Sequence, residues 1–122
     1  EVDAGNRSRF VTDGVMRASH RALETRSPWR ELGVPFHPST AASLQPLQAG
    51  EAVELCFALN PTAWLFRRGS RIRITITGAE KNAYEQPAGF NRAAPPSLKL
   101  LRDARHPSAV TLPVISGGHP FR

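Results

Sequence analysis

The sequence predicts an all-β fold, a sandwich of short strands joined by two long loops. Three observations lead there. Eleven prolines and nine glycines in 122 residues interrupt the chain too often for long helices. Between them, apolar residues recur at every second position, the period of a strand with one buried face. Two stretches of irregular composition, residues 25–48 and 80–96, are too long for hairpin turns, which favours a sandwich over a meander.

In chain order, the first expected strand runs from Arg9 to Ser19 and is interrupted at Asp13-Gly14, a turn signal for a hairpin or a bulge. The loop after it holds Pro28, Pro35, Pro38 and Pro46, so it must cross the surface without regular pairing. From Glu51 to Leu59, Val53, Leu55, Phe57 and Leu59 share a face expected in the core, with Glu54, Cys56 and Ala58 opposite. The clearest strand is Ser70 to Gly78. There Ile72, Ile74 and Ile76 point one way, and Arg71, Arg73, Thr75 and Thr77 the other. Ser97 to Arg102, with Leu98, Leu100 and Leu101, fits a strand or one helical turn. Ala109 to Ile115 aligns Val110, Leu112 and Val114. Pro113 lacks a ladder donor, so that strand belongs at an edge.

The length fits one domain over residues 1–122, with 1–9 and 116–122 as flexible ends. Apolar and charged contents of 40% and 21% argue against intrinsic disorder. No run approaches the roughly 18 apolar residues of a membrane span, and no apolar stretch near the start suggests a signal peptide. The first residue is Glu1 rather than Met, as expected of a processed product or an excised piece. One cysteine, Cys56, excludes an internal disulfide framework and points to a reducing, cytoplasmic compartment. The net charge of +6 comes mostly from arginine, with Lys81 and Lys99 the two lysines. The arginines are scattered, the densest group being Arg67, Arg68, Arg71 and Arg73. This suits a charged sheet face or an ion-pair network better than a nucleic-acid site, which concentrates its charge.

Catalytic chemistry has little to build on. A hydrolase elbow, G-x-S-x-G, is absent, and Ser19 and His20 as strand neighbours would face opposite ways. His20, His37, His106 and His119 lack metal-ligand spacing. Asp103 and His106, ahead of Pro107, fit a local cap. Cys56 within a strand reads as a small buried apolar residue rather than a nucleophile. A phosphate loop is missing, and Gly117-Gly118 suits a flexible tail. Accordingly no catalytic, cofactor-binding or metal-ligating residue is assigned, and no cofactor is expected. Trp64, within the apolar run Pro61 to Phe66, suits core or interface packing more than sugar stacking. Trp29, after Pro28, suits either a core role or anchoring its loop to a neighbouring surface. Trp29, Trp64 and Phe66 are therefore the candidate interface residues.

Four segments share a further pattern: FVTDGVMRASHR at 10–21, GEAVELCFAL at 50–59, PTAWLFRRGSRIRITI at 61–76 and HPSAVTLPVI at 106–115. In this order they resemble the C-terminal domain of the CocE/NonD hydrolases, which include X-Pro dipeptidyl-peptidases, cocaine-esterase-like enzymes and α-amino-acid ester hydrolases. Ala49 stands where that pattern usually has proline, and Ser70 where it usually has histidine. The resemblance implies a jelly-roll β-sandwich related to galactose-binding folds. It begins partway through the domain, so the sandwich is expected to be incomplete here, with open edges and an exposed apolar face. The family's Ser-His-Asp triad lies on a separate α/β-hydrolase domain, so none of it is expected in this chain. What the resemblance implies is an accessory role: packing on the catalytic domain, helping to enclose its active site and supporting oligomerisation. The expected partners are that domain, or a second copy meeting Phe57, Ile72, Ile74 and Ile76, and neither nucleic acid nor membrane. The alternative is a stand-alone carbohydrate- or ligand-binding β-sandwich.

Overall fold

Residues 1–9 fold back on themselves because Asp3-Ala4-Gly5-Asn6 is a tight-turn sequence. In the computed structural model of the chain, which describes residues 1–28, 33–78, 84–85 and 90–115, Asn6 N–H donates to the Asp3 carbonyl at 3.0 Å. The Asp3 carboxylate accepts from the Gly5 and Arg7 amides at 2.9 and 3.0 Å. Asn6 takes the left-handed conformation, φ 62°, which asparagine tolerates better than most residues and which a three-residue hairpin loop requires. Beyond the turn, Asp3 N–H meets the Arg7 carbonyl, and Glu1 and Arg9 exchange backbone bonds at 2.8 and 2.9 Å. The segment expected to be a flexible end is thus a hairpin.

Val2 also pairs on its other side. It exchanges both backbone hydrogen bonds with Arg71, each 2.8 Å, so it forms antiparallel bridges with Ser8 and with Arg71. The Arg71 segment is aimed by a turn in which Ser70 N–H reaches the Arg67 carbonyl at 3.0 Å. Gly69, φ 83°, supplies the positive φ that this turn needs. Val2, 2% exposed, is the buried hydrophobic residue among those described.

The Asp13-Gly14 step is not a turn. The Asp13 carbonyl accepts from Asn60 N–H at 2.7 Å, and the Thr12 hydroxyl donates to the Asn60 carbonyl at 2.7 Å. Gly14 lies so close to residues 58–59 that a Cβ would sit 2.5 Å from the Ala58 carbonyl oxygen. Close approach, not positive φ, is what requires glycine there. Two single-turn 3-10 helices follow, Ala18–His20 and Ala41–Ser43. The second is closed by a reciprocal cap, in which Ser43 N–H reaches the Thr40 hydroxyl and Thr40 N–H reaches the Ser43 hydroxyl. Between them, Glu24 N–H bonds the Phe36 carbonyl, the third isolated bridge.

The chain divides into two compact units, Glu1–Ile74 and Thr75–Arg122. Within the second unit, local turns predominate. Asn91 accepts from the Ala93 and Ala94 amides, Asp103 from those of Arg105 and His106, and the Ser108 hydroxyl donates to the Leu101 carbonyl. Ser97 to Arg102 is neither helix nor paired strand. Gly117, Gly118 and the rest of the expected tail lie outside the described residues.

The described residues hold no α-helix and no strand ladder, and the expected strands are present only as irregular backbone. The rows expected in a core are exposed: Leu55, Phe57 and Leu59, then Ile72, Ile74 and Ile76, and Val110, Leu112 and Val114. Cys56, expected buried, is exposed as well. Alternation fixes which side chains share a face, whereas a ladder needs a neighbouring segment in register and a core needs an opposing layer about 10 Å away. The described residues supply neither.

Val2→Ala removes two methyl groups from the buried hydrophobic residue among those described and is expected to destabilise by about 2 kcal/mol, read as a lower urea midpoint. Gly14→Ala is expected to cost about 1–3 kcal/mol through overpacking against backbone, whereas Gly50→Ala meets open space and is expected to cost about 1–2 kcal/mol by a different route, the strain of a side chain at φ 80°.

Candidate functional site

The hairpin delivers Glu1 to the stretch that holds Trp64 and Arg67. Its carboxylate accepts from the Trp64 indole N–H and from the Arg67 amide, both at 3.2 Å. The Ser70 side chain adds a contact that favours the charged carboxylate. The residue is only 7% exposed. The Ser70 bond, then the Arg67 and Trp64 bonds and the Arg9 charge, hold the carboxyl below its ordinary value of 4.5, with desolvation opposing them. Ser70, where histidine would be usual, thus still provides a polar side chain to the cluster. Beside the cluster lies an open cleft of about 250 Å³ lined by Glu1, Arg9, Ala63, Trp64, Leu65 and Arg67.

The arginines converge on the same hairpin. Arg7 pairs with Asp3 at 3.0 Å, Arg71 donates to the Asn6 side-chain carbonyl at 2.7 Å, and Arg73 to the Ser8 hydroxyl at 2.8 Å. The expected charged face therefore rests partly on neutral acceptors, which lie more than 60 residues away in sequence. Of the candidate interface residues, Trp64 and Phe66 are 42% and 37% exposed, and Leu65 between them is 85% exposed. Trp29 lies outside the described residues.

The histidines are placed by backbone and turns. His106 Nδ1 lies 3.0 Å from Asp103, which also accepts two backbone amides, a local cap as expected. Its carboxyl is held low, first by the Arg105 amide and then by His106. His37 sits between two backbone carbonyls, and His20 Nδ1 is buried without a partner. None of these contacts is to a hydroxyl or thiol that a base would activate. No group of three or more His, Cys, Asp or Glu that could hold a metal occurs among the described residues, nor does a helix long and apolar enough to cross a membrane.

Reasoning from sequence missed Glu1, Asp3 and Asn6. The Asp-x-Gly-Asn turn flanked by Glu1-Val2 and Ser8-Arg9 was the available signal. Nothing local announces that Glu1 meets Trp64.

A carboxylate that accepts from an indole and a backbone amide more than 60 residues away ties segments of the chain together. The chain belongs to the family described as the X-Pro dipeptidyl-peptidase C-terminal non-catalytic domain, whose model matches residues 1–111. Two relatives named "Putative serine esterase", from Mycobacterium bovis and Mycobacterium tuberculosis, are each 36% identical over 115 residues, 94% of this chain. The chain spans 18% of the length of these relatives. No solved structure matches it.

Because folding depresses the Glu1 pKa, its contribution is present above the ordinary carboxylate range and is lost as pH falls through the depressed value. Urea midpoints taken from neutral to acid pH are expected to fall for the wild type. Glu1→Gln should start lower at neutral pH and fall less.

Proposed function

We propose that this chain is the accessory C-terminal portion of an α/β-hydrolase-type serine hydrolase, an ester hydrolase or X-Pro dipeptidyl-peptidase. It packs on the catalytic domain and helps to enclose its active site. The carrying observation is the exposure of the apolar rows Leu55, Phe57 and Leu59, and Ile72, Ile74 and Ile76, which alternate as core strands do but lack an opposing layer among the described residues. Rows of that kind call for a covering layer. In the proposed assembly, residues 1–122 form part of one jelly-roll sandwich whose remaining layer lies outside this chain, and the isoleucine row faces that layer.

Trp64 and Phe66 are the proposed anchors toward the catalytic domain, with Trp29 a third. Trp and Arg are enriched among residues that dominate interfaces, and here Arg67 and Arg68 directly follow the apolar Trp64-Leu65-Phe66 protrusion. The names of the mycobacterial relatives favour ester substrates. An exposed, single thiol at Cys56 suits the reducing, cytoplasmic setting.

In the polypeptide that carries the catalytic domain, Trp64→Ala with Phe66→Ala is expected to lower kcat/KM on a short-chain p-nitrophenyl ester about tenfold or more. Deleting this region without any change in rate or substrate range would overturn the enclosing role. Without a catalytic domain, the 122-residue chain is expected to self-associate through Phe57, Ile72, Ile74 and Ile76 or to unfold at low urea. A monodisperse, stably folded monomer in light scattering would contradict the covering-layer argument.

A further inference from the structure

We infer that His37 is a protonation-dependent staple that fastens the loop of residues 33–48 to two other segments of the chain. Its ring bridges two backbone carbonyls. Nδ1 lies 3.0 Å from the Ala22 oxygen and Nε2 lies 2.9 Å from the Cys56 oxygen. A carbonyl oxygen only accepts. A neutral imidazole carries one N–H, so it satisfies one of the two and turns a lone pair toward the other. Only the imidazolium donates to both, and those bonds are charge-assisted.

The backbone around His37 is built to hold the ring in place. Pro35 and Pro38 fix φ on either side, and a residue directly before proline is confined to extended conformations. Ser39 then turns the chain with φ 52°, in the left-handed region. The loop has two other attachments. Its Phe36 carbonyl accepts from Glu24 N–H, and Gln45 donates to the Ser19 carbonyl and accepts from the Arg21 guanidinium. Neither attachment titrates near neutral pH. Residues 33–48 contain no Asp, Glu, Lys or Arg, so His37 is their single titratable group.

The charged and titratable groups on the segments it joins are His20, Arg21 and Glu24 on one side, and Glu51, Glu54 and Cys56 on the other. Arg21 is engaged with the Ala18 and Gln45 carbonyls. The ion pairs among the described residues are Arg7–Asp3 and His106–Asp103, so no carboxylate holds the His37 ring. Both bonds exist where the imidazole carries two N–H groups, and the second is lost with the second proton. One bond then remains, and the loop is fastened to only one of the two segments through this residue.

Hydrogen exchange followed by mass spectrometry, on the polypeptide as cells make it, tests this between about pH 5 and about pH 8. After correction for intrinsic exchange, peptides covering 18–24, 33–47 and 54–58 are expected to exchange about tenfold faster at the higher pH. His37→Gln, whose amide has two N–H groups at every pH, should remove that dependence, and His20→Gln should retain it. A wild type without pH dependence, or His37→Gln behaving as wild type, overturns the proposal. Should the variant fail to fold, histidine ¹⁵N spectra of the wild type decide. Two protonated His37 nitrogens coupled to the Ala22 and Cys56 carbonyls at the lower pH, and one at the higher, support the staple. Couplings that are unchanged or absent throughout refute it.

Discussion

The pairing of Val2 on both sides is the constraint on which the first unit depends. One residue exchanges backbone bonds with Arg71 and sits opposite Ser8, so three stretches of chain are set in register at one point. Glu1 reaches Trp64, Arg67 and Ser70 because Val2 is fixed beside it. Arg71 and Arg73 reach Asn6 and Ser8 for the same reason. A side chain as small as valine suffices, because the backbone bonds supply the geometry and the methyl groups only exclude water from them.

The rest of the molecule shows what happens when patterning lacks a partner. The isoleucine row and the Leu55-Phe57-Leu59 row have the alternation of core strands, yet both are exposed. Local turns and caps, at Asp3, Thr40, Asn91 and Asp103, hold their geometry because each is satisfied by residues within a few positions. Long-range pairing is sparse.

The loop between the two 3-10 turns is attached by polar contacts rather than packing. Prolines stiffen it, Arg21 and Glu24 tie it down, and His37 places a ring between two carbonyls. Carbonyls that would otherwise sit in a ladder are satisfied here by side chains, which is how an irregular segment meets its hydrogen-bond requirement.

Much was legible in the sequence. The period-two rows, the exclusion of long helices by proline and glycine, the local cap at Asp103 and the family itself follow from residue order, because each depends on neighbours in the chain. The Asp3-Asn6 hairpin has a readable signal in its Asp-x-Gly-Asn turn. Gly14 showed a turn signal, yet its glycine answers to Ala58, 44 positions away. The Glu1 cluster, the joining of Asn6 and Ser8 to the Arg71 segment and the two carbonyls at His37 had no local signal. Sequence determined which residues are apolar, stiff or charged and on which face they alternate. Only tertiary structure decided which distant backbone groups meet, because hydrogen-bond partners more than 40 residues apart are selected by where the chain returns in space, which local preference does not encode.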